Sequence, residues 1–254
     1  MSGSQKTVWM ISGNKGGVGK SLFCLALASA LEARSRFKEF EDDAKYAVLD
    51  GDGRTGDVHA IFKRKCPARW ADFRELRPDT HNCMADGEYE DLIHRLLVAN
   101  NHLIINTPDG ADKILLKWFD KTLAHTEPNN YRFNLIYLMS DRPDGLESLN
   151  DLATRFQYLY PVYNNYFGNE SVFSSFNREY KSKFHEVLEF PKLRAEEVRM
   201  IFDLKTYPAE AMRLKTLPII TQSRLFRWQN QVNTNISELL EGDEKSNVVV
   251  ELND

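Results

Sequence analysis

The sequence predicts an α/β fold with a mostly parallel, twisted sheet and helices on both of its faces. Short apolar runs recur along the 254 residues, helical patterns fall between several of them, and the first three runs each end in a polar loop containing glycine. In such sheets the loops at the carboxyl ends of the strands gather on one side, and ligands bind there.

The elements follow in order. Thr7–Ser12, TVWMIS, reads as the first strand; NKGGVGKS follows it, and SLFCLALASALEARS, rich in leucine and alanine, suits a buried helix. After the charged turn KEFEDDAK, YAVLD at 46–50 reads as a second strand ending in GDGRTGDV. HLIINTPDG at 102–110 is a third run with its loop, and RFNLIYLMS at 132–140 and YPVYNNYF at 160–167 are a fourth and a fifth. Helical patterns are expected at about 111–124 and 146–158. Beyond about 170 the pattern weakens, and helical stretches around 194–203 and 221–241, with one more strand, are read as closing the same domain. The expected organisation is one domain over 1–241 and an acidic, mobile tail over 242–254.

Composition narrows the class. Hydrophobic residues at 42% and charged residues at 28% sit near globular averages, which sets aside disordered, collagen-like and coiled-coil chains. A net charge of −4 argues against a surface that coats nucleic acid throughout, while leaving local basic patches open. Cys24, Cys66 and Cys83 are far apart and odd in number, so they form neither a disulfide framework nor a paired metal motif. The six histidines lack ligand spacing, and no GxSxG elbow occurs. With no signal-like N-terminus and no membrane-length apolar run, a reducing cytoplasm is the expected location and no membrane is expected as a partner.

The first loop carries the chemistry. A Walker A loop needs glycine, four residues, then Gly-Lys-Ser or Gly-Lys-Thr; counting back from Gly19, Lys20 and Ser21 puts Asn14 where the first glycine belongs. The remainder, Gly16, Gly17, Val18, Gly19, Lys20 and Ser21, fits. Clustered glycines let backbone N–H groups wrap a β-phosphate, and the start of the helix adds its positive end. Lys20 would then meet the β- and γ-phosphates and the Ser21 hydroxyl would coordinate magnesium. A glycine-rich turn that merely joins strand to helix is the plainer alternative, and the position, flanks and run of matching residues favour the phosphate loop.

KGGVGKS, with Lys15 ahead of the glycines, resembles the deviant Walker A loop of the ParA/MinD family of ATPases, a branch of the P-loop NTPases. The resemblance spans roughly the first 170 residues, and its specific motifs end by about 110. It implies a SIMIBI-type P-loop NTPase fold, ATP and Mg²⁺ as cofactors, and Asn14 through Ser21 as nucleotide ligands. It makes Lys15 the signature lysine, reaching across an ATP-sandwich homodimer to the phosphates of the other subunit, where an added cation would stabilise the crowded negative charge. In LDGDGRTGDV it places Asp50 near magnesium and makes Asp52 the catalytic aspartate that orients the attacking water. Asn164 and Asn165 lie near where relatives use an asparagine to recognise adenine, and Asn165 is taken as that ligand.

Two features depart from the pattern. In NTPDG at 106–110, Pro108 matches the Walker B and switch II segment, but Asn106 replaces the aspartate that ends the strand. An amide supplies no negative charge to the water shell of magnesium, so either Asp50 carries that duty alone, Asp109 has taken it over, or hydrolysis is slow. Gly51, Gly53 and Gly56 also spell GxGxxG, with Asp72 about 20 residues on, the dinucleotide fingerprint. That motif belongs after the first strand, where the phosphate loop already sits.

Within the family, the cysteines do not match cluster carriers, the tail is not tyrosine-rich, and NVVVELND is no basic amphipathic anchor. A partition-type ATPase remains, resembling small plasmid-borne forms linked to stability or conjugative transfer. The resemblance implies an adaptor protein that stimulates hydrolysis, with nonspecific DNA as a further candidate partner. Basic candidates are Lys63, Arg64, Lys65 and Arg69, then Arg178, Lys181 and Lys183, and then Arg213, Lys215, Arg224 and Arg227. The alternative is an ATP-binding accessory or regulatory scaffold with little hydrolysis; Asn106 favours it, and Asp52 favours the switch.

Overall fold

A strand that is apolar on both faces must be covered on both, and the first strand is built that way. In the computed structural model of the chain, which describes residues 6–13, 15–36, 44–72, 88–121, 131–140, 144–241 and Val248, β1 spans Lys6–Gly13. Its Trp9 and Ile11 enter one core while Val8 and Met10 enter another, as the two-residue period of a strand requires.

The other strands are β2 (Tyr46–Asp50), β3 (Ala68–Trp70), β4 (His102–Asn106), β5 (Tyr131–Leu138), β6 (Leu159–Asn164) and β7 (Leu188–Phe190). They form a seven-stranded sheet in the order β3-β2-β4-β1-β5-β6-β7, with every pairing parallel. The register aligns Ile11 and Asp50 with Asn106, so the carboxyl ends of β1, β2 and β4 finish side by side.

The helices are α1 (Lys20–Arg34), α2 (Asp57–Phe62), α3 (Glu88–Val98), α4 (Asp112–Lys121), α5 (Asp144–Ala153), α6 (Ser174–Glu179), α7 (Ala195–Asp203), α8 (Pro208–Ala211) and α9 (Ile219–Glu241). Residues of α1, α2, α7, α8 and α9 pack on the Trp9 face, and those of α3, α4, α5 and α6 on the Val8 face. Helix α1 lies between the sheet and the α8–α9 pair, which explains its lack of a polar side: Leu22 to Leu31 are all buried.

The parallel sheet with helices on both faces is as the sequence predicts, with strand ends shifted by a few residues. The elements passed over are short or amphipathic. Strand β3 has three residues, two of them exposed, too few to show a period. Helix α3 carries Ile93, Leu96 and Leu97 on one face, a helical spacing that a search for strands overlooks. Of the expected tail, 242–254, only Val248 is described; it forms a bridge with Phe184.

Candidate functional site

The loop after β1 is shaped by close approach. A side chain at Gly13 would meet the Leu138 carbonyl and a Val18 methyl, each at 2.8 Å. The chain then turns through Gly17 (φ 76) and Gly19 (φ 92), left-handed conformations that favour glycine. Gly19 caps α1 without a side-chain bond, so the first-turn amides of that helix, together with its dipole, are presented to an anion. Asn14 lies outside the described residues.

Lys20, the first residue of α1, is buried, and its ammonium donates to Asp109 Oδ1 at 2.7 Å and to the Lys15 carbonyl at 3.2 Å. A Cβ on Gly16 would lie 2.5 Å from Asp109 Oδ2. The carboxylate of Asp109 therefore rests inside the glycine cradle, on the ammonium that a phosphate would use. Lys15 is half-buried, and its own ammonium stands 5.7 Å from the centre of the Phe167 ring.

Asp50, at the end of β2, is fully buried. Its Oδ1 accepts from Asn106 Nδ2 at 2.9 Å and from the Asp52 N–H at 3.3 Å, and its Oδ2 accepts from the His59 N–H at 2.9 Å. Burial pushes this carboxyl above its ordinary pKa, against the pull of those hydrogen bonds. Asn106 Nδ2 also reaches Ser21 Oγ at 3.5 Å, and Asn106 Oδ1 accepts from the buried thiol of Cys24 at 3.8 Å. Asp50, Ser21 and Asn106 thus converge, which the sequence anticipates for the first two. What it does not anticipate is that the Asn106 amide acts as a donor to Asp50.

Asp109, the alternative to Asp50 for the duty that Asn106 cannot perform, points to Lys20 and is half exposed. Asp112, on the first turn of α4, is a buried carboxyl on the other side of the loop, accepting from Ser12 Oγ at 3.2 Å and Tyr137 OH at 3.5 Å.

Lys20, Ser21, Asn106 and Asp109 edge a cleft of ≈ 480 Å³, reached also by Gly16, Gly17, Gly19 and Asp52, while Asp50 and Asp112 lie behind its lining. Its far wall is Tyr166, Phe190, Pro191, Leu193, Val198, Arg199 and Phe202, from the loop after β6, β7 and α7. Sequence reading missed this wall entirely; the only available signal was the apolar spacing of the 194–203 helix. Asn164 also faces the cleft, but its Nδ2 donates to the Val18 carbonyl at 2.7 Å, so the amide is used in holding the phosphate loop. Asn165 does not line the cleft; its N–H bonds the Phe190 carbonyl at 3.0 Å.

The basic clusters are divided. Lys65 pairs with Glu210, Arg178 with Glu179, Lys181 with Glu170, Arg213 with Glu32 and Arg224 with Glu197. Lys183 donates to Asn150, and Arg69 to the Ala68 carbonyl. Lys63, Arg64, Lys215 and Arg227 are exposed. Cys24 is buried and Cys66 half-buried, both unpaired, with burial pushing the Cys66 thiol up to about 12; Cys83 lies outside the described residues. Among the described residues, no group of three or more His, Cys, Asp or Glu could hold a metal ion, and no helix is long and apolar enough to cross a membrane.

No protein-family model matches the chain, and no curated protein matches it by sequence. Solved structures do. A nucleotide-binding protein from Archaeoglobus fulgidus in complex with ADP is similar at a TM-score of 0.51 and 13% identity, over 85% of this chain and 93% of that one. The septum site-determining protein MinD from Pyrococcus horikoshii OT3, complexed with Mg-ADP, is similar at a TM-score of 0.52 and 12% identity, over 92% of this chain and 97% of that one. At such identities the likeness shows the fold alone: an α/β fold like that of these two proteins.

Proposed function

We propose that the chain is a ParA/MinD-like, ATP-dependent switch that binds ATP with Mg²⁺, closes into a homodimer around it, hydrolyses it slowly and acts in partition or positioning of plasmid or other DNA cargo in the cytoplasm. The observation that carries nucleotide binding is the cradle itself: Gly16 leaves room for an anion, Asp109 stands in for one, and Lys20 already holds it at 2.7 Å. The apolar wall from Phe190 to Phe202 suits a base. Two structural neighbours carry ADP in a related fold, which supports the same ligand here.

Magnesium fits the donor set. Ser21 and Asp50, whose oxygens both lie beside Asn106 Nδ2, would hold the ion through hard oxygen donors. When bound it would supply charge neutralisation for the phosphates. Lys20 and the α1 amides would hold the phosphates, and Asp52 would orient water. Lys15 is assigned to the partner subunit's nucleotide.

A second reading, an ATP-binding accessory or scaffold in plasmid stability or conjugative transfer that scarcely hydrolyses, is favoured by Asn106, a neutral group bonded to Asp50 at the end of β4. Steady-state ATPase assays with and without DNA separate the two. Turnover above background that is lost in Asp52→Ala supports the switch; ATP binding without turnover supports the scaffold. Absence of ATP binding, with Lys20→Ala indistinguishable from wild type, overturns both.

A further inference from the structure

The loop that carries Asp52 has two glycines that the phosphate site does not use. A Cβ on Gly53 would lie 2.0 Å from an Asp72 carboxylate oxygen, and one on Gly56, where φ is 57, would lie 3.0 Å from the Trp70 ring. Trp70 and Asp72 are two residues apart, at and just beyond the end of β3, so one side of that segment presses on both glycines. Of the residues that imitate a dinucleotide fingerprint, Gly53, Gly56 and Asp72 are thus accounted for by close packing within the chain.

The same contact fixes Asp52. Trp70 Nε1 donates to the Asp52 carbonyl at 2.8 Å, while the Asp52 N–H donates to Asp50 Oδ1 at 3.3 Å. Both backbone polar groups of Asp52 are therefore held, one from β2 and one from β3. Its carboxylate accepts from the Arg54 N–H at 3.1 Å, which sets the side chain. Strand β3 is itself tied to β2, with Trp70 in register with Asp50 and the Ala71 N–H bonded to the Asp50 carbonyl at 3.0 Å. Trp70 is 51% exposed, so it adds little to the core.

We infer that Trp70 is a positioning residue: with Asp72 it clamps the 51–56 loop and holds the Asp52 carboxylate at the cleft. A carboxylate that aligns water must be held closely, since small misplacements cost large factors in rate. The inference rests on the assignment of Asp52 proposed above, and its test is built to separate the two.

Hydrogen–deuterium exchange of the full chain is compared for wild type, Trp70→Phe, which keeps a ring over Gly56 but lacks the N–H, and Trp70→Ala, which removes both. Amides at 52–56 exchange about tenfold faster in Trp70→Phe and faster again in Trp70→Ala, while those at 22–31 in α1 are unchanged. Unchanged exchange at 52–56, or an equal rise in α1, overturns the clamp. In ATPase assays Trp70→Phe lowers kcat about tenfold at unchanged KM, and takes nothing further once Asp52 is alanine. A change in KM alone, or an equal loss with and without Asp52, overturns the positioning role. If Asp52→Ala keeps wild-type turnover, the assignment of Asp52 fails and the positioning role with it, whereas the exchange result decides the clamp by itself.

Discussion

Asp109 occupies the Lys20 ammonium that, on the proposed function, a nucleotide phosphate would need. Lys20 is buried, so it needs an anionic partner at all times, and Asp109 provides it at 2.7 Å from a carboxylate that is 46% exposed. Under the proposed function a bound phosphate would take over that role from Asp109. Because the Asp109 carboxylate is half in solvent, the pair's worth is discounted to about 0.2–1 kcal/mol. Asp109→Asn keeps the shape and removes the competitor, so ADP binding measured by calorimetry tightens up to about fivefold. Were Asp109 instead the magnesium ligand that Asn106 lacks, the variant would bind Mg-ADP more weakly, and that outcome would reverse this assignment. The ambiguity existed because a sequence cannot say where a side chain 89 positions from Lys20 points. Lys20 itself was legible, because its motif lies within a few residues.

At the scale of elements, β7 and α7 decide what the cleft accepts. Phe190 is anchored between Phe23 of α1, at 5.0 Å between ring centres, and Trp228 of α9, at 5.5 Å. Trp228 in turn donates to the Pro191 carbonyl at 2.7 Å, so the wall is fixed from behind. Phe202, half-buried on α7, lines the cleft at the edge of the Trp9-side core. Phe202→Ala removes apolar surface worth roughly 1–2 kcal/mol to a base, a loss of about tenfold in ADP affinity, and leaves pyrophosphate binding unchanged. Equal loss for both ligands would place Phe202 outside the base site. Helix α7 itself could be read from its spacing, but its place beside the phosphate loop could not, since Glu197 ties it to Arg224 of α9, a distant segment of the chain.

Across the whole molecule, the order β3-β2-β4-β1-β5-β6-β7 puts the phosphate loop at mid-sheet with the Asp50 and Asn106 loops beside it on one flank and β6 and β7 on the other. Lys15 sits at the rim, its ammonium near Phe167, within reach of solvent. Light scattering of the eluting protein is expected to give a dimer with ATP or a nonhydrolysable analogue and a monomer with ADP, and Lys15→Ala is expected to lose the ATP-specific dimer. A variant that dimerises as wild type does would remove Lys15 from the interface. By itself the sequence determined what is local: the strand, loop and buried helix around Gly16–Ser21, Asp50 at the end of its strand, and the alternation that makes a parallel sheet, because these depend on neighbours a few residues away. The tertiary structure alone decided that Asn106 donates to Asp50, that Asn164 holds the phosphate loop, that residues 190–202 wall the cleft and that Trp70 and Asp72 press on Gly56 and Gly53. Each of those contacts joins segments distant in the chain, and only the packing of both faces of the sheet brings them together.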